Sequence, residues 1–421
     1  MKIELAYGDR YLPLEVTESQ VAGFIKLQRA VASSSGQEII ESALQNPLGC
    51  AALGEIIKEK SARTAVVVVN DLTRPTPHRL MLPPLLEQIE LAGIRRDNIV
   101  LIIATGIHRH HTEADNYRVF GAEICQRYKI VSHNCDDNLQ FIGTLSNGMD
   151  LIINKTAAQA DLLVTTGVVG LHYFAGYSGG RKSILPGIAA RKVIEANHKM
   201  MSDKRARLGN YQDNPVNDLM LEASRMAQVD FILNVVTHSQ NDIVFCAAGD
   251  VIEAWLEAVK YCESINTVQI KQQADIVIAG CGGYPKDINM YQSQKALDSA
   301  VLAVKPGGTI ILVAECREGL GEETFQEWVE SSTCPQDIID RFNRKFELGG
   351  HKAYAICRIL DQADILLISE LPPADVRNLF MTPVASLSAA LEIARFKHGM
   401  DASIIIMPEA TKIAVKLLGK E

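Results

Sequence analysis

The sequence predicts an α/β protein of two domains, with mainly parallel sheets covered by helices. Three observations point there. Short, almost continuously apolar runs alternate with stretches of helical spacing, as expected of strands buried on both faces. The alternation pauses after VIEAWLEAVKYCES (251–264) and resumes at ADIVIAGCGG (274–283). The chain has 421 residues, 47% of them hydrophobic, which is ample for two cores. We assign residues 1–265 to an N-terminal cofactor-binding domain and 266–421 to a C-terminal domain. The last element, expected as a helix, can pack back on either, and the active site is expected in the interdomain cleft.

The elements follow in chain order. MKIELAYGDRYLPLEV reads as two strands around a Gly-Asp turn rather than a signal peptide, because no apolar segment follows a basic start. TAVVVVND (64–71), NIVLIIATG (98–106), KIVSHN (129–134), DLLVTTG (161–167) and FILNVVTH (231–238) are strands. LMLPPLLEQIELAG (80–93) and PVNDLMLEASRMAQ (215–228) are helices, the second capped by Asn214 with Pro215 in its first turn. In the second half, strands at 274–283, 307–315 and 363–370 are separated by a helix at 293–304 and a long helical stretch at 322–348. SIIIMPEATKIAVKLL (403–418) closes the chain.

Charge and cysteines exclude several classes. The net charge of −8 argues against nucleic-acid binding, which needs a basic face. No run approaches the roughly 18 apolar residues of a membrane span. The nine cysteines form no CxxC pair and are odd in number, so reduced thiols in the cytoplasm fit better than disulfides or a thiolate metal site.

Chemistry concentrates where strands end. NDLTRPTP follows Val69; its Asp71, Thr73 and Arg74 in a Pro-stiffened loop suit a phosphate or carboxylate, or an Asp–Arg pair that ties the turn. ATGIHRHHT follows Ile103; His108 reads as a catalytic base at a strand end, His110 and His111 as solvated surface residues. The richest stretch is 165–201, with six glycines between 167 and 187 around His172, Ser178, Arg181 and Lys182. Such a loop lets backbone amides approach an anion, and a lysine in it can be a covalent attachment point or an ordinary phosphate or surface lysine. GYSGGRKS fails as a phosphate-binding P-loop, because Arg181 stands between Gly180 and Lys182. In YQSQK, Gln292 and Lys295 share a helix face at i,i+3, as a carboxylate clamp or a solvated face. Two histidines from different strand ends, His108 and His172, suit an acid/base on each side of a substrate.

DLTRP, ATGIHR, HYFAGYSGGRKSILPGI, Asn197-His198 and YQSQK together resemble the nickel-dependent lactate racemase family, in its order and over essentially the whole chain. The resemblance implies a racemase or epimerase of lactate or a related 2-hydroxy acid. It implies nickel held in pyridinium-3,5-bisthiocarboxylic acid mononucleotide, a nickel-pincer nucleotide attached to Lys182, and partner proteins that build and insert that cofactor. His198 would be the protein's nickel ligand. Asp71, Leu72, Thr73 and Arg74 would hold the nucleotide, His108 and His172 would be the catalytic acid/bases, and Gln292 and Lys295 would bind substrate. Arg74, Arg181, Lys182 and Lys295 would each face a small anion. The family's tryptophan-containing segment is missing: residues 349–357 read GGHKAYAIC, where His351, Lys352 and Tyr354 suggest a different pocket and malate or a sugar acid as alternative substrates. A phosphotransferase and a non-catalytic nickel-nucleotide carrier are the competing classes, both less favoured by the paired histidines. The oligomeric state has no sequence signal.

Overall fold

The computed structural model describes residues 1–27, 32, 34–239 and 242–419. The chain divides into two compact units, Arg29–Ile265 and Met1–Gln28 with Asn266–Glu421.

The Arg29–Ile265 unit is built on a six-stranded sheet. Its order is Asp242–Gly249, Phe231–Ser239, Leu162–Val168, Ala65–Asn70, Ile99–Ala104 and Lys129–Ser132. All neighbours are parallel except the Asp242–Gly249 edge. The apolar runs are central strands: Ala65–Val69 is buried at every position, so neither face sees water. From Ala65–Asn70 the chain first builds outward through Ile99–Ala104 and Lys129–Ser132. It then returns to place Leu162–Val168 on the other side. That reversal opens a crevice beyond the carboxyl ends of Ala65–Asn70 and Leu162–Val168, the usual ligand position in such sheets. DLTRP and the glycine segment leave from these two strand ends.

The other unit holds a second six-stranded, parallel sheet, ordered Thr382–Pro383, Ala363–Ile368, Val304–Val313, Ala274–Gly280, Ile404–Met407 and Val21–Phe24. Here the reversal lies between Ala274–Gly280 and Ile404–Met407, and the loop leaving Ala274–Gly280 leads to YQSQK.

Three expectations change. Residues 1–28 join the C-terminal unit rather than the N-terminal domain, because Val21–Phe24 finds its backbone partners on Ile404–Met407. The long helical stretch at 322–348 is two helices, Glu323–Glu330 and Pro335–Arg344. Pro335 cannot continue a helix, and Asp337 turns back to accept from the Thr333 and Cys334 amides. The closing element is no helix but strands Ile404–Met407 and Ala414–Leu417, and it belongs to the C-terminal unit.

Candidate functional site

The DLTRP loop is built around Asp71, which is buried. Its Oδ1 accepts from Thr73 Oγ1 at 2.7 Å, and its Oδ2 lies 2.7 Å from His108 Nδ1. Burial alone raises a carboxyl pKa. Here the hydrogen bonds from His108 and Thr73 outweigh it, and the pKa is lowered. Asp71 is therefore a carboxylate at neutral pH and accepts from His108 Nδ1–H, which in the neutral ring makes Nε2 the acceptor nitrogen. His111, expected as a surface residue, instead accepts the Leu72 amide at Nε2 (2.9 Å) and donates through Nδ1 to Asn116 Oδ1 (3.1 Å). It fixes the loop from the side, whereas His110 is exposed. Arg74 is also exposed.

The glycine segment is held in part from within. The Ser178 amide donates to Gly170 O, the Gly180 amide to Asn234 Oδ1 and the Lys182 amide to Gly179 O. Gly179 has φ +85°, and a Cβ there would lie 2.5 Å from Val169 Cγ2. Arg181 does not face a ligand, contrary to expectation. It is fully buried, donates to Asn217 Oδ1 and to the carbonyls of Ala175, Tyr177, Ser178 and Gly179, and lies 3.8 Å from the Trp255 ring centre. It is the pin of the loop, because one planar guanidinium can satisfy several diverging carbonyls.

With Arg181 directed inward, Lys182 points the other way. Its Nζ sits 3.1 Å from His172 Nε2 and 5.4 Å from the Phe174 ring centre. His172 packs edge-on to Phe174 with ring centres 4.6 Å apart, and His198 packs on the same ring at 5.1 Å. Burial, with Arg74 and Arg181 adding repulsion, pulls the Lys182 pKa well below its ordinary value. Burial pushes the His198 pKa down to about 3, against the opposing hydrogen bond to Ile194 O. His198 is thus neutral. Its Nδ1–H donates to Ile194 O at 2.9 Å, which makes Nε2 the lone-pair nitrogen.

In the C-terminal unit, Gln292 and Lys295 come together as the spacing predicts. Lys295 Nζ donates to Gln292 Oε1 at 2.6 Å, and Asn289 caps the helix start by accepting the Gln292 amide.

Residues 7–209 match the family model of the lactate racemase N-terminal domain, and residues 269–415 that of the C-terminal domain. The chain is 36% identical to a lactate racemase of Thermoanaerobacterium thermosaccharolyticum and 34% identical to one of Lactiplantibacillus plantarum. Each alignment covers 98% of this chain and 99% of the relative. The chain belongs to the lactate racemase family. It is accordingly an isomerase. The solved structure of the T. thermosaccharolyticum lactate racemase apoprotein superposes with a TM-score of 0.91 at 35% identity, covering 99% of this chain and all of that one. A Thermotoga maritima structure at 18% identity and TM-score 0.63, covering 90% of this chain and 98% of that one, shares the fold.

Within this lactate racemase family member, the GGHKAYAIC segment opens the helix Gly350–Leu360. Tyr354 stacks on Phe342 with ring centres 4.0 Å apart, and His351 accepts the Gly349 amide. Lys352 is directed elsewhere, with Nζ 5.9 Å from the ring centre of Tyr291, the neighbour of Gln292. Sequence reasoning passed over Phe174, the ring on which Lys182, His172 and His198 all pack. Its only signal was its place in HYF.

Proposed function

We propose that this chain racemises lactate or a closely related 2-hydroxy acid, using a nickel-pincer nucleotide tethered to Lys182 and two histidine acid/bases, His108 and His172. The observation that carries this reading is the gathering of Lys182, His172 and His198 on the one Phe174 ring.

The residues present fit the nickel group. A metal-binding histidine normally donates its second ring N–H to a carbonyl, as His198 does to Ile194. Neutral imidazole suits nickel. Among the described residues no three His, Cys, Asp or Glu side chains converge on a metal site; the family resemblance implies that the nucleotide would supply the remaining ligands. Asp71, Leu72, Thr73 and Arg74 would hold the nucleotide from the DLTRP loop. When bound, the group supplies the acceptor and donor for the hydride of the substrate's α-carbon.

The protein's own part is proton handling and positioning. Asp71 holds His108 with Nε2 as a base. His172 accepts the Ala175 amide at Nδ1 (3.2 Å), so in the neutral ring its Nε2 carries the proton. The two histidines therefore begin with opposite states at Nε2: one takes the hydroxyl proton as the other stands ready to return one. Gln292 and Lys295 would take the substrate carboxylate, by a charge-assisted hydrogen bond from the ammonium.

Lys352 beside Tyr291 favours a second reading, a substrate with a further carboxylate or hydroxyls, such as malate or a sugar acid. Nine free cysteines fit a reducing compartment, the cytoplasm. Among the described residues no helix is long and apolar enough to cross a membrane. The loaded protein would also need partners that make and insert the nucleotide.

Intact-protein mass tests the reading. We expect an adduct of several hundred daltons on the loaded protein, localised to Lys182 by peptide mapping and lost in K182A. A loaded, active protein without an adduct overturns it.

A further inference from the structure

Two rings of one segment grip the DLTRP loop at consecutive residues, His108 at Asp71 and His111 at Leu72. The two contacts respond oppositely to a proton. A charged His108 ring still donates to the Asp71 carboxylate. His111 Nε2 accepts the Leu72 amide at 2.9 Å, and a proton on that nitrogen would set N–H against N–H. The neutral Nδ1–H ring satisfies both of its partners at once, because Nδ1 donates to Asn116 Oδ1 at 3.1 Å. The His111 amide donates to Ser132 Oγ at 3.1 Å, and the ring packs on Phe120 with centres 6.1 Å apart, which fixes where the ring can reach.

We propose that His111 is a positioning residue for the nucleotide: its neutral ring fixes the DLTRP loop through the Leu72 amide, and a proton on the ring releases the loop. This rests on the reading that Asp71, Leu72, Thr73 and Arg74 hold the nucleotide. Leu72 stands between buried Asp71 and the exposed pair Thr73 and Arg74, where the loop leaves its base. The next hydrogen bonds are local, from the Arg74 amide to Asp71 O and from the Thr76 amide to Arg74 O. They shape the turn without tying it to a neighbouring segment, whereas His111 ties it to a residue 39 positions away.

The charges around the ring come from several elements. Asp71 faces it from the DLTRP loop, His78 from the helix His78–Leu91, Arg109 from its own segment and Asp115 from the helix Glu113–Phe120. The strand Lys129–Ser132 contributes the uncharged Ser132. Burial lowers the His111 pKa; the Asn116 hydrogen bond and the two carboxylates oppose it, and Arg109 adds to it. With the folded value depressed, the hold is whole above the unfolded value of about 6.5 and is lost as pH falls through the folded one.

The test uses the cofactor-free full chain, with nicotinic acid mononucleotide, a pyridinium mononucleotide, as the probe. Amide hydrogen exchange, expressed as a protection factor, reads Leu72, and calorimetry reads the affinity for the probe. H111Q keeps an acceptor for the Leu72 amide and stays neutral; H111A has no acceptor. At about pH 7.5, H111A should lower Leu72 protection and probe affinity about tenfold each, and H111Q should restore most of both, the scale of a donor left without its acceptor. Between about pH 7.5 and about pH 5, wild type should lose about tenfold more of each than H111Q. That comparison subtracts the titration of His108 and of the probe's own phosphate, which both variants share. Wild-type protection in H111A, or equal losses with pH in wild type and H111Q, overturns the proposal. If Leu72 protection behaves as stated but wild type does not bind the probe at the higher pH, the nucleotide reading of the DLTRP loop falls and the release of the loop by His111 stands.

Discussion

Asp71 Oδ2 lies 2.7 Å from His108 Nδ1, across 37 residues of sequence. The buried carboxylate sets the tautomer of the His108 ring, as a carboxylate does for the histidine of a hydrolase triad. D71N should leave the ring free to take the other tautomer. We expect kcat to fall roughly 10²-fold with KM little changed, as for the loss of an oriented acid/base. Chiral assay of the loaded variant measures this.

The same pair has a pH consequence. The folded pKa of Asp71 lies below its ordinary value, so the stability it contributes is present above the unfolded pKa and is lost as pH falls through the folded one. Wild type should lose urea resistance more steeply than D71N below about pH 4.

Histidines give a second window. His78 and His133 are both pushed by burial to about 4. His78 Nε2–H donates to Asn70 O, and His133 Nε2–H to Ala189 O. Unfolded, each titrates near 6.5, about the ordinary histidine value. Their folded pKa values are depressed, so their stabilising effect is whole above that value and declines as pH drops toward 4. The urea midpoint of the cofactor-free protein should fall between pH 7 and 5, and less so in H133N. An unchanged slope would show that His133 is not the neutral ring described.

Arg181 predicts a stability phenotype rather than a binding one. R181K keeps the charge but abandons most of the diverging carbonyls. A loss of about 3 kcal/mol is expected in urea titration, the scale of breaking a buried polar network. G179A should cost about 1–3 kcal/mol from φ strain alone, with the Val169 contact in addition.

Lys295 and Gln292 should act on binding. K295A should raise KM roughly 10- to 100-fold, the worth of a hydrogen bond to a charged group. The Lys182 adduct should survive in it. Steady-state kinetics with adduct mass separates the two effects.

Much of this was legible because polarity changes abruptly at strand ends. Val69 to Asp71 and Ile103 to His108 are steps from buried strand to polar loop, and periodicity reports them directly. Other features depend on contacts that sequence spacing does not encode. Arg181 in a glycine loop looks like an anion site until Trp255, far along the chain, turns out to lie under it. His111 looks like surface because its partner amide, Leu72, is 39 residues away. Residues 21–24 join the C-terminal unit through a parallel pairing with Ile404–Met407, which no local pattern announces.

The central claim is that the α-hydrogen moves as hydride while His108 and His172 handle only hydroxyl protons. Racemisation of protiated lactate in D2O by the loaded wild-type protein tests it most directly. The account predicts both enantiomers with protium retained at the α-carbon. Deuterium at that carbon in the racemised product would contradict it, because the histidines would then be exchanging a carbon-bound proton with solvent.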